Sequence, residues 1–373
     1  MVRRSSNAAS SRGSRTKRIL WVAVLAGAAA GSGALYQVVE TARDRKRYPA
    51  PGRLVDAGGH GLHLDVKGED KKGPTVVLEM GGAGASPLFA RLHPAIAEFA
   101  RVVNYDRAGI GWSEPGPKPR DAYTIARELH TALKNAGLPA PYIPVGASMG
   151  GPFALVFAGL YPEETAGVVL VDCMHPDQWE RLPSRMGRII RMADKLMPLL
   201  PLLARFGLLR LLDTTRQINM GLSEEQRLTP QAQTQLRAVF ALPEQWKASH
   251  AETTVWDVTR EQMRASWNLR EKPLLVLSAT RNETFPDMMG PWLEMQAELA
   301  SLSSDSRHHL MQGASHVALI TDPRYLREVA ENIREFLEDI SPAKKGARRD
   351  RSLDEGERIV AIPKKKDPGF SPG

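Results

Sequence analysis

The chain has 373 residues, enough for one large α/β domain with appendages, and its formal net charge of +8 sits in its ends. Residues 1–50 hold ten basic against two acidic side chains and residues 341–373 nine against five, which leaves the stretch between them at about −4. An acidic body excludes nucleic acid as a partner, and a single cysteine, Cys173, excludes an intrachain disulfide and a cysteine-built metal site.

Residues 1–18 form a Ser- and Arg-rich basic tail. Residues 19–39 then carry no charge over a length that crosses a bilayer as a helix. Gly27 and Gly31 have the G-x-x-x-G spacing of paired membrane helices. Read as an anchor, residues 19–39 tie the chain to a membrane; read as a signal peptide, Ala28-Ala29-Ala30 offers the cleavage site. Six basic residues before the span and four after it favour a single pass, N-terminus inside, with the catalytic domain outside the cytoplasm.

Residues 40–51 read as a linker, and 53–66 alternate around Gly58-Gly59 as a hairpin. A buried strand over 75–78 ends in Gly81-Gly82-Ala83-Gly84; a helix over 92–99, a strand over 102–105 and a helix over 124–136 follow. Next come a short strand over 142–145 and a helix from 151, joined by Gly146, Ser148 and Gly150. This G-x-S-x-G is a strained strand-to-helix turn that lifts the serine hydroxyl over the sheet edge, which makes Ser148 a candidate nucleophile. Pro144 removes a ladder hydrogen bond inside that strand and predicts an irregularity just before the turn.

A strand over 167–171 leads into 173–270, which is helical with no strand signal. There Arg185, Arg188, Arg191 and Lys195 recur at helical steps opposite Met186, Ile189, Ile190 and Ala193. Residues 197–212, MPLLPLLARFGLLRLL, are too short and too broken by Pro198 and Pro201 to span a membrane again. Their apolar side either covers a pocket or meets a lipid interface. A strand over 273–278, a helix over 292–302, a strand over 307–311 and a helix over 324–337 close the body, and 341–373 read as a disordered basic tail. The predicted class is α/β: a mostly parallel sheet flanked by helices, with a core from 52–172 and 271–340 and a helical cap from 173–270.

Five segments in this order, VVLEMGGAGAS at 76–86, YDRAGIGWSEPG at 105–116, VGASMGG at 145–151, VVLVD at 168–172 and QGASHVALITDP at 312–323, resemble the α/β-hydrolase superfamily over about residues 52–340. The chain is similar to membrane-anchored members of actinobacterial type. It departs from the usual pattern at Ala147, where a histidine is common, and at Met80-Gly81, where His-Gly is usual.

The resemblance implies a serine hydrolase acting on a small-molecule or lipid-like carboxylic ester, with a thioester, lactone or amide as alternatives, through an acyl-enzyme and with no metal and no organic cofactor. The same residues would serve an acyltransferase, and the same fold a catalytically weak ligand-binding protein. By family position His316 is the general base that activates Ser148. Backbone N–H groups of Gly82 and Met149 would form the oxyanion hole, with Gly81 and His175 as substrate contacts. No Lys-Ser/Thr follows the glycines, so they do not read as a phosphate cradle. Glu79 and Asp106 read as strand-end structural carboxylates. The catalytic acid is the open question, because Asn282 holds the family's usual acid position. Asp172, at the end of the strand after the elbow helix, is preferred; Glu283, Asp287 or no charged acid are the alternatives.

Overall fold

The computed structural model describes residues 7–214 and 228–341; the expected tail from 342 onward and part of the cap lie outside them. Eight strands form one sheet: β1 (Arg53–Asp56), β2 (Gly61–Lys67), β3 (Thr75–Glu79), β4 (Val102–Tyr105), β5 (Tyr142–Ala147), β6 (Val168–Val171), β7 (Leu274–Arg281) and β8 (Ser306–Ser315). Their spatial order is β1-β2-β4-β3-β5-β6-β7-β8. The β1–β2 and β2–β4 pairs are antiparallel and every other pair is parallel. The chain thus has an α/β-hydrolase fold with a mostly parallel sheet flanked by helices.

β3, β4, β5 and β6 are buried along their whole length, as strands covered on both faces must be. Val76, Leu78, Ile143 and Val145 face helices Leu92–Ala97 and Pro323–Asp339, through Ile96, Val329 and Ile333. Val77, Val103 and Tyr142 face the other way, onto Ile125, Leu129, Phe153 and Phe157 of helices Ala122–Asn135 and Gly150–Leu160. Two sequential alternations thus build two half-cores around one sheet.

The predicted irregularity at Pro144 is a register slip. Tyr142 bridges Thr165, but the β5–β6 ladder begins at Val145 against Val169. One extra residue therefore sits on the β6 side opposite Pro144. Tyr142 accepts from Ala166 and Ser148 donates to Val171, so even-numbered residues of β5 point their peptide groups at β6. The missing N–H of Pro144 falls into that gap, and no ladder bond is lost.

Within the cap stretch, helices Ser184–Leu196, Leu200–Arg205, Leu208–Thr214, Pro230–Phe240 and Pro243–Thr254 follow one another. The next helix, Trp256–Ala265, returns to the sheet, where Met263 packs with Leu155 and Ala158 of the elbow helix. At the other end, the apolar N-terminal segment is part of a single helix, Asn7–Arg47. The expected linker is helical to Arg47, since nothing breaks the helix before Pro49 and Glu40 pairs with Arg43 one turn on. Residues 21–29 are exposed all round, while Gly33, Gln37 and Asp44 form a stripe that packs on the cap. Gln37 Nε2 donates to Ala241 O at 2.8 Å, and Arg210 Nη1 reaches Asp44 Oδ2 at 2.5 Å.

Close packing at the start of the elbow helix gives a direct test. A Cβ on Gly151 would lie 1.9 Å from Cys173 Sγ and 2.7 Å from its Cβ, so Gly151→Ala forces the helix off β6. The expected loss is about 1–3 kcal/mol of unfolding free energy, read as a lower urea midpoint of the detergent-solubilised chain.

Candidate active site

Ser148 stands at the carboxyl end of β5 with φ 55°, a left-handed conformation that a serine adopts only under local constraint. The constraint is steric and hydrogen-bonded. A Cβ on Gly146 would lie 2.5 Å from Gly150 O, and one on Gly150 would lie 2.2 Å from Glu79 O. Both positions must be glycine for the turn to close. Ser148 N donates to Val171 O at 3.0 Å, and its own carbonyl accepts from Gly151 N and Met174 N, each at 3.0 Å.

Asp172 follows β6 at once, so it and Ser148 lie at the ends of neighbouring strands. Asp172 is buried, with φ 46°. Its Oδ1 accepts from Ala279 N at 3.0 Å and from Trp292 Nε1 at 2.8 Å. Its Oδ2 lies 2.6 Å from His316 Nδ1. Two N–H donors and the His316 ring nitrogen converge on this carboxylate and fix its position. His316 arrives from β8 by a bulge: Ala279 pairs with Met311 and Arg281 with Ser315, which puts two extra residues on β8. Gly313 takes φ 74° there and donates to Thr280 Oγ1 at 2.8 Å. The strand expected over 307–311 is longer for this reason, and its bulge aims the ring. The His316 side chain is 43% exposed, against 3% for Asp172.

The other acid candidates lie elsewhere. Glu283 is exposed and paired to Arg281 at 2.6 Å, and Asp287 is exposed in a one-turn helix. Asn282 turns into its own loop, where its Oδ1 accepts from Thr284 N and Phe285 N. His175, expected as a substrate contact, is fully buried. Its ring stands edge-on to Trp267 at 5.0 Å, Asp177 N donates to Nδ1, and Glu298 lies 3.4 Å from Nε2. Burial pulls its pKa below the ordinary value, with Glu298 opposing. Those neighbours suit a neutral packing residue.

The loop after β3 is a turn closed by Gly84 N donating to Gly81 O, with Ala83 at φ 54°. Gly81 passes over the serine so closely that a Cβ there would lie 2.9 Å from Ser148 Cβ. A Cβ on Gly82 would lie 3.0 Å from Met149 Sδ, so Gly82 and Met149 adjoin. Neither the Gly82 nor the Met149 N–H donates to an acceptor among the described residues. Asp106 serves structure: it accepts from Ser86 N, Ser86 Oγ and Trp112 N and lies 2.9 Å from His63 Nδ1.

One group that sequence reasoning assigned no role holds this loop from behind. Arg107 is buried, and its Nη1 and Nη2 donate to the carbonyls of Met80 and Gly81 at 2.5 and 3.1 Å. It makes a two-pronged pair with Glu252 of the cap at 2.8 and 2.9 Å, reaches Glu79 at 2.8 Å and lies over the Phe153 ring. Gln245 on the same cap helix donates to Ala83 O at 2.7 Å. Every carbonyl of the turn from Met80 to Ala83 except that of Gly82 therefore has a donor. The signal was local: an arginine just past a buried strand end, in a segment of apolar residues and glycines.

The chain matches the family model described as alpha/beta hydrolase fold over residues 74–323. A curated relative, the probable transporter efuK of Hormonema carpetanum, is 32% identical over 138 residues, 35% of this chain and 20% of that protein. The chain spans less than half the length of the curated relatives it matches. Among solved structures, a thermophilic esterase from Thermogutta terrifontis matches with TM-score 0.56 at 21% identity, over 77% of this chain and 97% of that one. The enol-lactonase from Burkholderia xenovorans LB400 matches with TM-score 0.53 at 19% identity, over 75% and 98%. Likenesses at such identity establish the fold alone.

The Glu79 cluster makes stability depend on pH. Burial pushes the Glu79 carboxyl from 4.5 up to about 7, with Arg107 and Tyr105 opposing and Glu252 adding to the rise. Two carboxylates share one guanidinium, so the folded chain binds a proton that the unfolded chain releases between pH 4.5 and about 7. Stability should fall by about 3 kcal/mol as pH rises through that window. Glu79→Gln should remove that slope from the urea midpoint measured against pH.

Proposed function

Since the chain belongs to the α/β-hydrolase fold family, we propose that it is a serine hydrolase that cleaves carboxylic esters through an acyl-enzyme on Ser148. The observation that carries this reading is the 2.6 Å contact of His316 Nδ1 with a buried Asp172 beside the serine's strand. A proton held on Nδ1 leaves Nε2 as the base. It takes the Ser148 Oγ proton as the oxygen attacks the ester carbonyl, and Asp172 stabilises the imidazolium that forms. The N–H groups of Gly82 and Met149, unspent in the resting chain, receive the oxyanion. Collapse of the tetrahedral intermediate expels the alcohol, which takes the proton from Nε2. Water then enters with His316 again as base, and hydrolysis of the acyl-enzyme regenerates Ser148.

The reading includes a membrane anchor over residues 19–39, with the catalytic domain outside the cytoplasm. The helix carries no charged residue through that segment, and Leu20, Trp21, Val22, Val24 and Leu25 are all more than half exposed. Apolar surface of that kind is at home in acyl chains. Basic residues crowd both ends of the span.

Ser148→Ala should abolish labelling by a fluorophosphonate probe and lower ester turnover by three to six powers of ten at unchanged Tm. Labelling retained in that variant would assign the nucleophile elsewhere. Asp172→Asn should cut kcat by about 10⁴, whereas Glu283→Gln and Asp287→Asn should leave it near wild type. The reverse outcome would reassign the acid.

A further inference from the structure

Only part of the apolar side of the cap packs inward, where Leu200, Leu203 and Leu209 meet Trp246 and Ala83. Met192, Leu196, Leu199, Leu202, Leu208 and Leu211 are each exposed by between 41% and 67%. Isolated exposed leucines mean little, but a run of them along consecutive helices is a surface that expects a covering. Arg185, Arg188, Arg191 and Lys195 are exposed on the first of these helices.

What covers this surface follows from where the anchor touches the cap. A Cβ on Gly33 would lie 2.5 Å from Phe206 O, one on Gly207 would lie 2.9 Å from the Tyr36 ring, and Gln37 bonds to Ala241. Phe206 and Gly207 join the helices that carry Leu202 and Leu208. Gly33 also lies inside the uncharged segment, about 9 Å along the helix axis before Val39. An anchor that uses residues 19–39 to cross the roughly 30 Å hydrocarbon layer therefore draws this part of the cap down to the lipid boundary.

We infer that the cap face built from Ser184–Leu196, Leu200–Arg205 and Leu208–Thr214 is seated in an anionic lipid bilayer. Its leucines enter the outer acyl region and its arginines meet the headgroups. A basic rim with an apolar face is the composition of helices that lie in the plane of a membrane, and each basic residue near an anionic surface adds to the attraction. The inference rests on the anchor reading above and extends it from one helix to the cap.

The test uses the full chain reconstituted in vesicles of phosphatidylcholine with a minority of phosphatidylglycerol. Single Leu199→Cys, Leu202→Cys, Leu211→Cys, Val24→Cys and Leu310→Cys variants carry an environment-sensitive fluorophore; the native thiol, Cys173, is fully buried. With lipids brominated near the headgroup end of the chain, the three cap probes should be quenched at least half as strongly as Val24. Leu310, exposed on β8, should not be quenched. Lipids brominated near the terminal methyl should quench the cap probes less than Val24. A quenched Val24 with unquenched cap probes would overturn the inference while leaving the anchor intact. Blue-shifted but unquenched cap probes would assign the face to a protein partner or a second copy, and overturn it too. An unquenched Val24 would remove the anchor and the inference together. Turnover of p-nitrophenyl acetate by the same labelled proteins reads the hydrolase assignment independently.

Discussion

A guanidinium taken wholly out of water has to be met by charge and by carbonyl oxygens, or the chain does not fold around it. Arg107 is met by both, and the groups that meet it come from parts of the chain that otherwise share little. Glu79 ends β3, Met80 and Gly81 begin the loop over the serine, Glu252 belongs to the cap, and Phe153 lies in the elbow helix. One side chain thus sets the distance between cap and sheet and turns the loop's carbonyls inward. With the carbonyls held, the Gly82 N–H has no acceptor among the described residues. Burial, with a smaller push from Glu252, raises the Glu79 carboxyl to about 7 despite the guanidinium beside it.

Backbone strain is concentrated in the same place. Of the four non-glycine residues with positive φ among the described residues, Ala83, Ser148 and Asp172 lie in the loop after β3, in the turn after β5 and directly after β6. Each is followed or flanked by contacts that over-determine it: the Gly81–Gly84 turn, the Val171–Ser148 bond, and the donors from Ala279 and Trp292. Stored conformational cost of this kind persists only where the surroundings pay it back.

The sheet and its order were legible because short-range patterns encode them: alternation over 53–66, uninterrupted apolar runs at β3 to β6, and glycines where Cβ atoms would collide. The elbow was legible for the same reason. What escaped was whatever depends on residues far apart in sequence. Nothing near Arg107 announces Glu252, 145 residues on, and nothing near Asp172 announces Trp292. His175 looked placed for a pocket because it follows a strand end, yet Trp267 and Glu298 take its ring. The leucines of 197–212 fit a covering role by composition, and only the fold separates Leu200, Leu203 and Leu209, which pack with Trp246, from Leu199, Leu202, Leu208 and Leu211, which are left in the open.

The stripe of Gly33, Gln37 and Asp44 against the cap bears on how the molecule would breathe. In most capped folds one thinks of a small lid swinging on a large, stationary core. Here the cap is joined to the apolar N-terminal helix, by Gln37 to Ala241 and Asp44 to Arg210. On the anchor reading proposed above, the cap is the fixed frame, and a motion that separates cap from sheet is a rocking of the sheet, with Tyr48, whose carbonyl accepts from the Trp112 ring nitrogen, near the pivot.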